Sequence, residues 1–88
     1  MKKLVEVQEV EGEGLLSLLG QRVTCFGLNY IYTGKLEGVN ATCVKLSTAS
    51  IVYETGSFNE KSWKDAQRLP NDIYVMLACI ESFGIVKE

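Results

Sequence analysis

From Gly20 onward the chain is written in the period of strands. Arg22-Val23-Thr24-Cys25-Phe26-Gly27-Leu28 is rich in β-branched and aromatic residues and predicts a first strand. Asn29 turns the chain. Tyr30 to Val39 then predicts a long second strand that carries two glycines, Gly34 and Gly38. Glycine within a strand marks a bulge, a sharp bend or a close backbone approach. Four residues apart, these two share a face with Tyr32 and Leu36. Two gaps on an inner face let a strand curl hard, as a small closed barrel requires. Asn40-Ala41 turns the chain again. Thr42 to Leu46 and Ile51 to Glu54 predict a third strand, bent or interrupted around Ser47 to Ser50.

On either side of these strands the pattern changes. Leu4 to Val10 alternates weakly, so residues 1–12 read as a tail or a short strand, broken by Glu11-Gly12-Glu13-Gly14. Leu15-Leu16-Ser17-Leu18-Leu19 packs four leucines into little more than one turn, and Gly20 suits the position just past a helix end. So short a helix does not persist alone, and the open end of a barrel or sheet is the surface expected to hold it. Residues 56–72 are the least strand-like. Ser57 or Asn59 suits the cap of a helix through Glu60 to Gln67, stopped at Leu69-Pro70 and anchored by Trp63. The last block, Ile73 to Ile80 followed by Glu81 to Val86, predicts two closing strands.

Eight consecutive apolar residues leave both faces of a strand apolar. Such a strand is either central and covered on both sides, or has one face against another copy. A small domain has little material to cover both faces, which favours the second explanation. The expected assembly surface is therefore Tyr74, Val75, Met76, Leu77, Ala78, Cys79 and Ile80, with a second copy of this chain as the partner.

Length sharpens that expectation. Eighty-eight residues make one domain with a thin stability margin. Domains of this size lean on disulfides, a metal or oligomerisation. Cys25, Cys43 and Cys79 are odd in number, far apart and without CxxC spacing, and the chain has no histidine, so a structural zinc is not expected. One disulfide would use two of the three cysteines; their apolar neighbours favour free thiols packed as small hydrophobes. Self-association is the device left.

The net charge of -2, with both signs interspersed, offers no basic stripe for nucleic acid. Lys61, Lys64 and Arg68 cluster, but Glu60 and Asp65 lie among them, as on a solvated face. No stretch approaches the length of a membrane span, and Met1-Lys2-Lys3 leads into alternation, so a cytoplasmic location and no membrane partner are expected. Without histidine there is no imidazole base. Neither a GxxxxGK[ST] loop nor GxGxxG occurs, and the carboxylates are scattered. The expectation is a binding or scaffold protein with no catalytic residue, no cofactor and no metal.

The order of elements, and Gly34-Lys35-Leu36-Glu37-Gly38-Val39-Asn40 in particular, resembles the Sm-like family of small β-barrels. In that family Gly-x-Leu-x-Gly-x-Asp bends the second strand and closes the turn before the third. Asn40 stands at the Asp position, and Ile73 to Ile80 falls where the second motif lies. The resemblance covers Leu15 to Val86. It implies a mostly β fold: a strongly bent five-stranded barrel with a short N-terminal helix and a helical insertion before the last two strands. It also implies a ring, in which the fourth strand of one subunit pairs with the fifth of the next, and single-stranded RNA bound on the inner rim.

The chain departs from the family where the base is read. The Asn that follows the turn Asp is replaced by Val44, or by Cys43 for a turn one residue shorter. The Arg-Gly pair of the second motif falls on Met76 and Leu77. Asn40, Thr42 and Lys45 are the rim residues left to contact RNA. Three readings follow: a homo-oligomeric ring serving as a binding or scaffold module; an RNA-binding protein with a rebuilt pocket that adds a tyrosine such as Tyr30; and a small-molecule or peptide-binding barrel whose groove Trp63 closes.

Overall fold

The structure is a computed structural model and describes residues 14–87. It is mostly β. After a 3₁₀ turn at Leu15–Leu18 come β1 (Arg22–Gly27), β2 (Ile31–Val39), β3 (Cys43–Glu54), β4 (Asp65–Arg68) and β5 (Ile73–Met76); a second 3₁₀ turn at Leu77–Cys79 leads into β6 (Ile80–Gly84). All pairings are antiparallel, in the order β4-β3-β2-β1-β6, with β5 also on β3. The five-stranded barrel expected is not what forms: the sheet has six strands, because Asp65–Arg68 adds β4 to the edge of β3, and it stays open, because no pairing joins β6 to β5 or β4. The segment expected at Leu4 to Val10 lies outside the described residues.

The third strand is where the sheet bends. β3 is continuous through Ser47 to Ser50, but its halves have different partners: Cys43 to Leu46 pair with β5, and Ser50 to Glu54 pair with β4. Between them Thr48 has φ 43, a left-handed conformation unfavourable for a β-branched residue. Arg22 holds it there, donating to the Thr48 carbonyl at 3.2 Å and to its hydroxyl at 3.0 Å. The register against β2 also slips here, from Thr33↔Ser50 to Lys35↔Ser47, so β3 carries the extra residue of a bulge. Gly34 sits opposite. A Cβ on it would lie 3.0 Å from the Ser47 carbonyl oxygen and 3.2 Å from the Ala49 Cα. The absence of a side chain lets the bent backbone of β3 close in.

β2 curls, as its glycines lead one to expect. Straight, its nine residues would span roughly 30 Å. Yet the three-residue turn Leu77–Cys79 meets both ends of it. Leu77 N–H donates to the Thr42 carbonyl at 2.8 Å, beyond one end, and the Cys79 carbonyl lies against Gly27 beyond the other. The concave side holds the core of Val23, Cys25, Leu36, Val44, Leu46, Ala49 and Val75, all buried. Leu15 and Leu18 pack against this core from the first turn.

Three further expectations are corrected. The N-terminal helix is only a four-residue 3₁₀ turn, with Leu16 and Leu19 outward; Gly20 does take the left-handed φ of 85. No helix forms in residues 56–72. Turns fill its first part, and Asp65–Arg68 becomes β4 because the second half of β3 offers an open edge. A helix there would have had Trp63 alone to bury. Finally, the apolar run Ile73 to Ile80 is not one strand. The chain must step from β3, which holds β5, to β1, which holds β6, and Leu77–Cys79 is that step.

Candidate functional site

The turn between β2 and β3 is built by one side chain. Asn40 Oδ1 accepts from the Thr42 N–H at 2.8 Å and the Cys43 N–H at 2.9 Å, with the Thr42 hydroxyl at 3.2 Å and the Cys43 thiol at 3.5 Å. An Asx side chain closes its own turn in this way by standing in for a backbone acceptor. That oxygen is committed to the backbone, and Thr42 is tied in turn to Leu77.

Lys45 stands on the adjoining outer surface. Cross-strand pairing sets Cys43 against Met76 and Lys45 against Tyr74. Val44 and Val75, one residue along each strand, point into the core, so these two pairs point out. The Lys45 ammonium lies 5.9 Å from the centre of the Tyr74 ring and 3.8 Å from Asp72 Oδ2. Tyr74 is 64% exposed and Met76 51%. The structure thus joins Lys45 to Tyr74 and Met76 on one patch, with Thr42 at its border.

The seven residues of the expected assembly surface divide. Val75 belongs to the core; Leu77 and Ile80 are half-buried against it; Tyr74, Met76, Ala78 and Cys79 are exposed. Alternation, invisible in an all-apolar run, is restored by the pairing with β3.

Behind the second 3₁₀ turn lies a cavity of about 190 Å³, between that turn and the β1–β2 connection. Cys25 and Val75 are its buried lining; Tyr30, Tyr32, Ala78 and Cys79 surround them. The two tyrosine rings are 6.2 Å apart and tilted by 47°. Tyr30 thus belongs to this cavity, while Asn40 and Thr42 sit at the other end of β2. Burial pushes the Cys25 thiol above its ordinary value, which keeps it protonated and unreactive near neutrality. Among the described residues no three His, Cys, Asp or Glu side chains gather as metal ligands, and no helix is long and apolar enough to cross a membrane.

Trp63 does not line that cavity. It meets Phe58 edge to face at 6.4 Å, in the loop after β3, over a lysine that composition gave no reason to single out: Lys87. Searched against known protein families and against curated proteins, the chain gives no match.

Proposed function

We propose that this chain is a self-assembling binding module, a divergent Sm-like subunit that joins copies through the edges of β5 and β6. The carrying observation is the contrast between strand edges. β4 also ends the sheet, but Asp65, Gln67 and Arg68 guard it with polar groups. β5 has β3 on one side and β6 has β1 on one side, and neither has a second strand among the described residues. The large apolar residues exposed there are Tyr74 and Met76 on β5, Phe83 on β6 and Ile85 just after it, with Glu81 and Ser82 the exposed polar residues of β6. Open edges flanked by apolar side chains invite pairing. Pairing β5 of one copy with β6 of the next is heterologous, and such contacts close into a ring when the rotation permits.

Met76→Glu tests this reading. The side chain is half exposed in the single chain, so the change should shift subunit stability by no more than about 0.5 kcal/mol. It should nevertheless place a charge in the joint. Light scattering is expected to show a folded subunit of lower mass than the parent assembly. An unchanged mass would remove the β5 edge from the joint.

A second reading rests on Tyr74 beside Lys45. An exposed ring next to a cation is a platform for one base of single-stranded RNA, worth ~1–3 kcal/mol per base in comparable sites. Anisotropy with oligo-U and oligo-A at low salt should detect binding that Tyr74→Ala abolishes. No binding at low salt would leave assembly as the function.

A further inference from the structure

The loop between β3 and β4 is wrapped around a positive charge. Lys87 is only 4% exposed. Its ammonium donates to the carbonyls of Thr55 at 2.7 Å, Ser57 at 2.8 Å and Ser62 at 2.9 Å. It also lies 4.9 Å from the centre of the Trp63 ring and 5.7 Å from that of Phe58. Three acceptors match the three N–H donors of a primary ammonium, and the two ring faces attract the same charge.

Two features make this more than a buried lysine. Among the described residues no carboxylate lies within ion-pair distance of Lys87; the nearby Glu54 pairs outside the loop with Lys64, at 3.5 Å. Among the described residues the charge is held by neutral dipoles and π faces alone, groups that recognise a cation without a fixed counter-charge. Every recognising group, moreover, comes from one contiguous loop, Thr55 to Trp63. Lys87 arrives from elsewhere, on a segment after β6 that belongs to no strand. Receptor and occupant are separable parts.

We propose that Thr55 to Trp63 is a primary-ammonium receptor which Lys87 fills in cis, and which takes a lysine side chain from another polypeptide when residue 87 withdraws. The three-carbonyl geometry selects a primary ammonium over a quaternary one, which has no N–H to donate, and over an acetylated lysine, which has no charge. The segment after β6 holds a high local concentration of its own ligand, so occupation in trans is gated by release of that segment.

The test uses Lys87→Ala, which leaves the ammonium's place empty, with n-propylammonium as the missing end of the side chain and Nα-acetyl-lysine methylamide as a lysine in trans. Trp63, the chain's one tryptophan, reports on the loop. Its emission should shift to the red in the variant and return saturably with either amine, at concentrations on the order of millimolar for so small a ligand. The parent protein should need at least about tenfold more, because its own Lys87 competes. Tetramethylammonium at equal ionic strength and the Nε-acetylated lysine should do nothing. If Lys87→Ala does not fold alone, recovery of its circular dichroism with amine becomes the readout, and Lys87→Gln, which keeps two donors, is titrated beside it. No saturable response to amine in either variant, or an equal response to tetramethylammonium, overturns the proposal.

Discussion

Replacing Gly34 by alanine places a methyl group 3.0 Å from the Ser47 carbonyl oxygen, 3.1 Å from the Leu46 Cβ and 3.2 Å from the Ala49 Cα. Ordinary contact begins at 3.4 Å, so each neighbour must retreat by a few tenths of an ångström. Two of the three are backbone atoms of β3, fixed at the bulge by pairing, and the third belongs to a fully buried leucine. Crowding of this kind costs ~1–3 kcal/mol, and the lower entropy of the unfolded alanine chain returns only about 0.4–1 kcal/mol. A net loss of roughly 1–2 kcal/mol corresponds to a midpoint lower by about 5–15 °C in a domain of this size. Gly38 responds oppositely. Its nearest neighbour is Lys45 Cβ at 4.0 Å, so alanine fits and should raise the midpoint by ~2–8 °C. Thermal unfolding followed by circular dichroism, at one protein concentration because the proposed assembly would shift the midpoint, compares the two. Equal losses at both sites, or a neutral Gly34→Ala, would refute the assignment of the bend to close approach at Gly34.

Asn40→Ala should cost about 1–2 kcal/mol through the lost acceptor for two backbone N–H groups, while Asn40→Asp keeps the turn; urea midpoints distinguish them. The Thr24 hydroxyl is buried with no hydrogen-bond partner among the described residues, so Thr24→Val should stabilise by ~1 kcal/mol, whereas Thr33→Val loses the bond to the Val23 carbonyl and should destabilise. A disulfide reagent should label exposed Cys79 in the native protein and buried Cys25 only on unfolding. Cys25 also sets a pH dependence. Its folded value lies above the ordinary 9.0, so the unfolded chain releases the proton first. The stability this contributes is complete below pH 9.0 and lost as pH rises through the folded value, a slope that Cys25→Ala should remove from urea midpoints measured between about pH 8 and 10.

The strands were readable where side chains both prefer extended backbone and face the core, as in Val23-Thr24-Cys25 and Tyr32 to Leu36. Asn40 was readable because an Asx turn is a local device. The errors came from tertiary context. Asp65–Arg68 is polar apart from Ala66 and exposed at every position; only the waiting edge of β3 makes it β4. The break at Leu77 carries neither Gly nor Pro, since it answers to where β5 and β6 must pair rather than to a local preference. Gly34 and Gly38 look alike in one dimension and differ because the extra residue of β3 crowds Gly34, whereas at the second register shift, between Leu36 and Gly38, the extra residue belongs to β2 and leaves Gly38 open. Nothing in the sequence sets Lys87 apart from a solvated lysine. Its partners are main-chain carbonyls more than twenty residues away, which no side-chain pattern records. Phe58 and Trp63, two large aromatics in a loop otherwise polar, were the one trace of that cage.

Native mass spectrometry of the unmodified protein at micromolar concentration bears most directly on the proposed assembly of β5 edges with β6 edges. One discrete multiple of the subunit mass is expected, falling to a single subunit with Met76→Glu. A folded lone subunit in the unmodified protein would contradict the account.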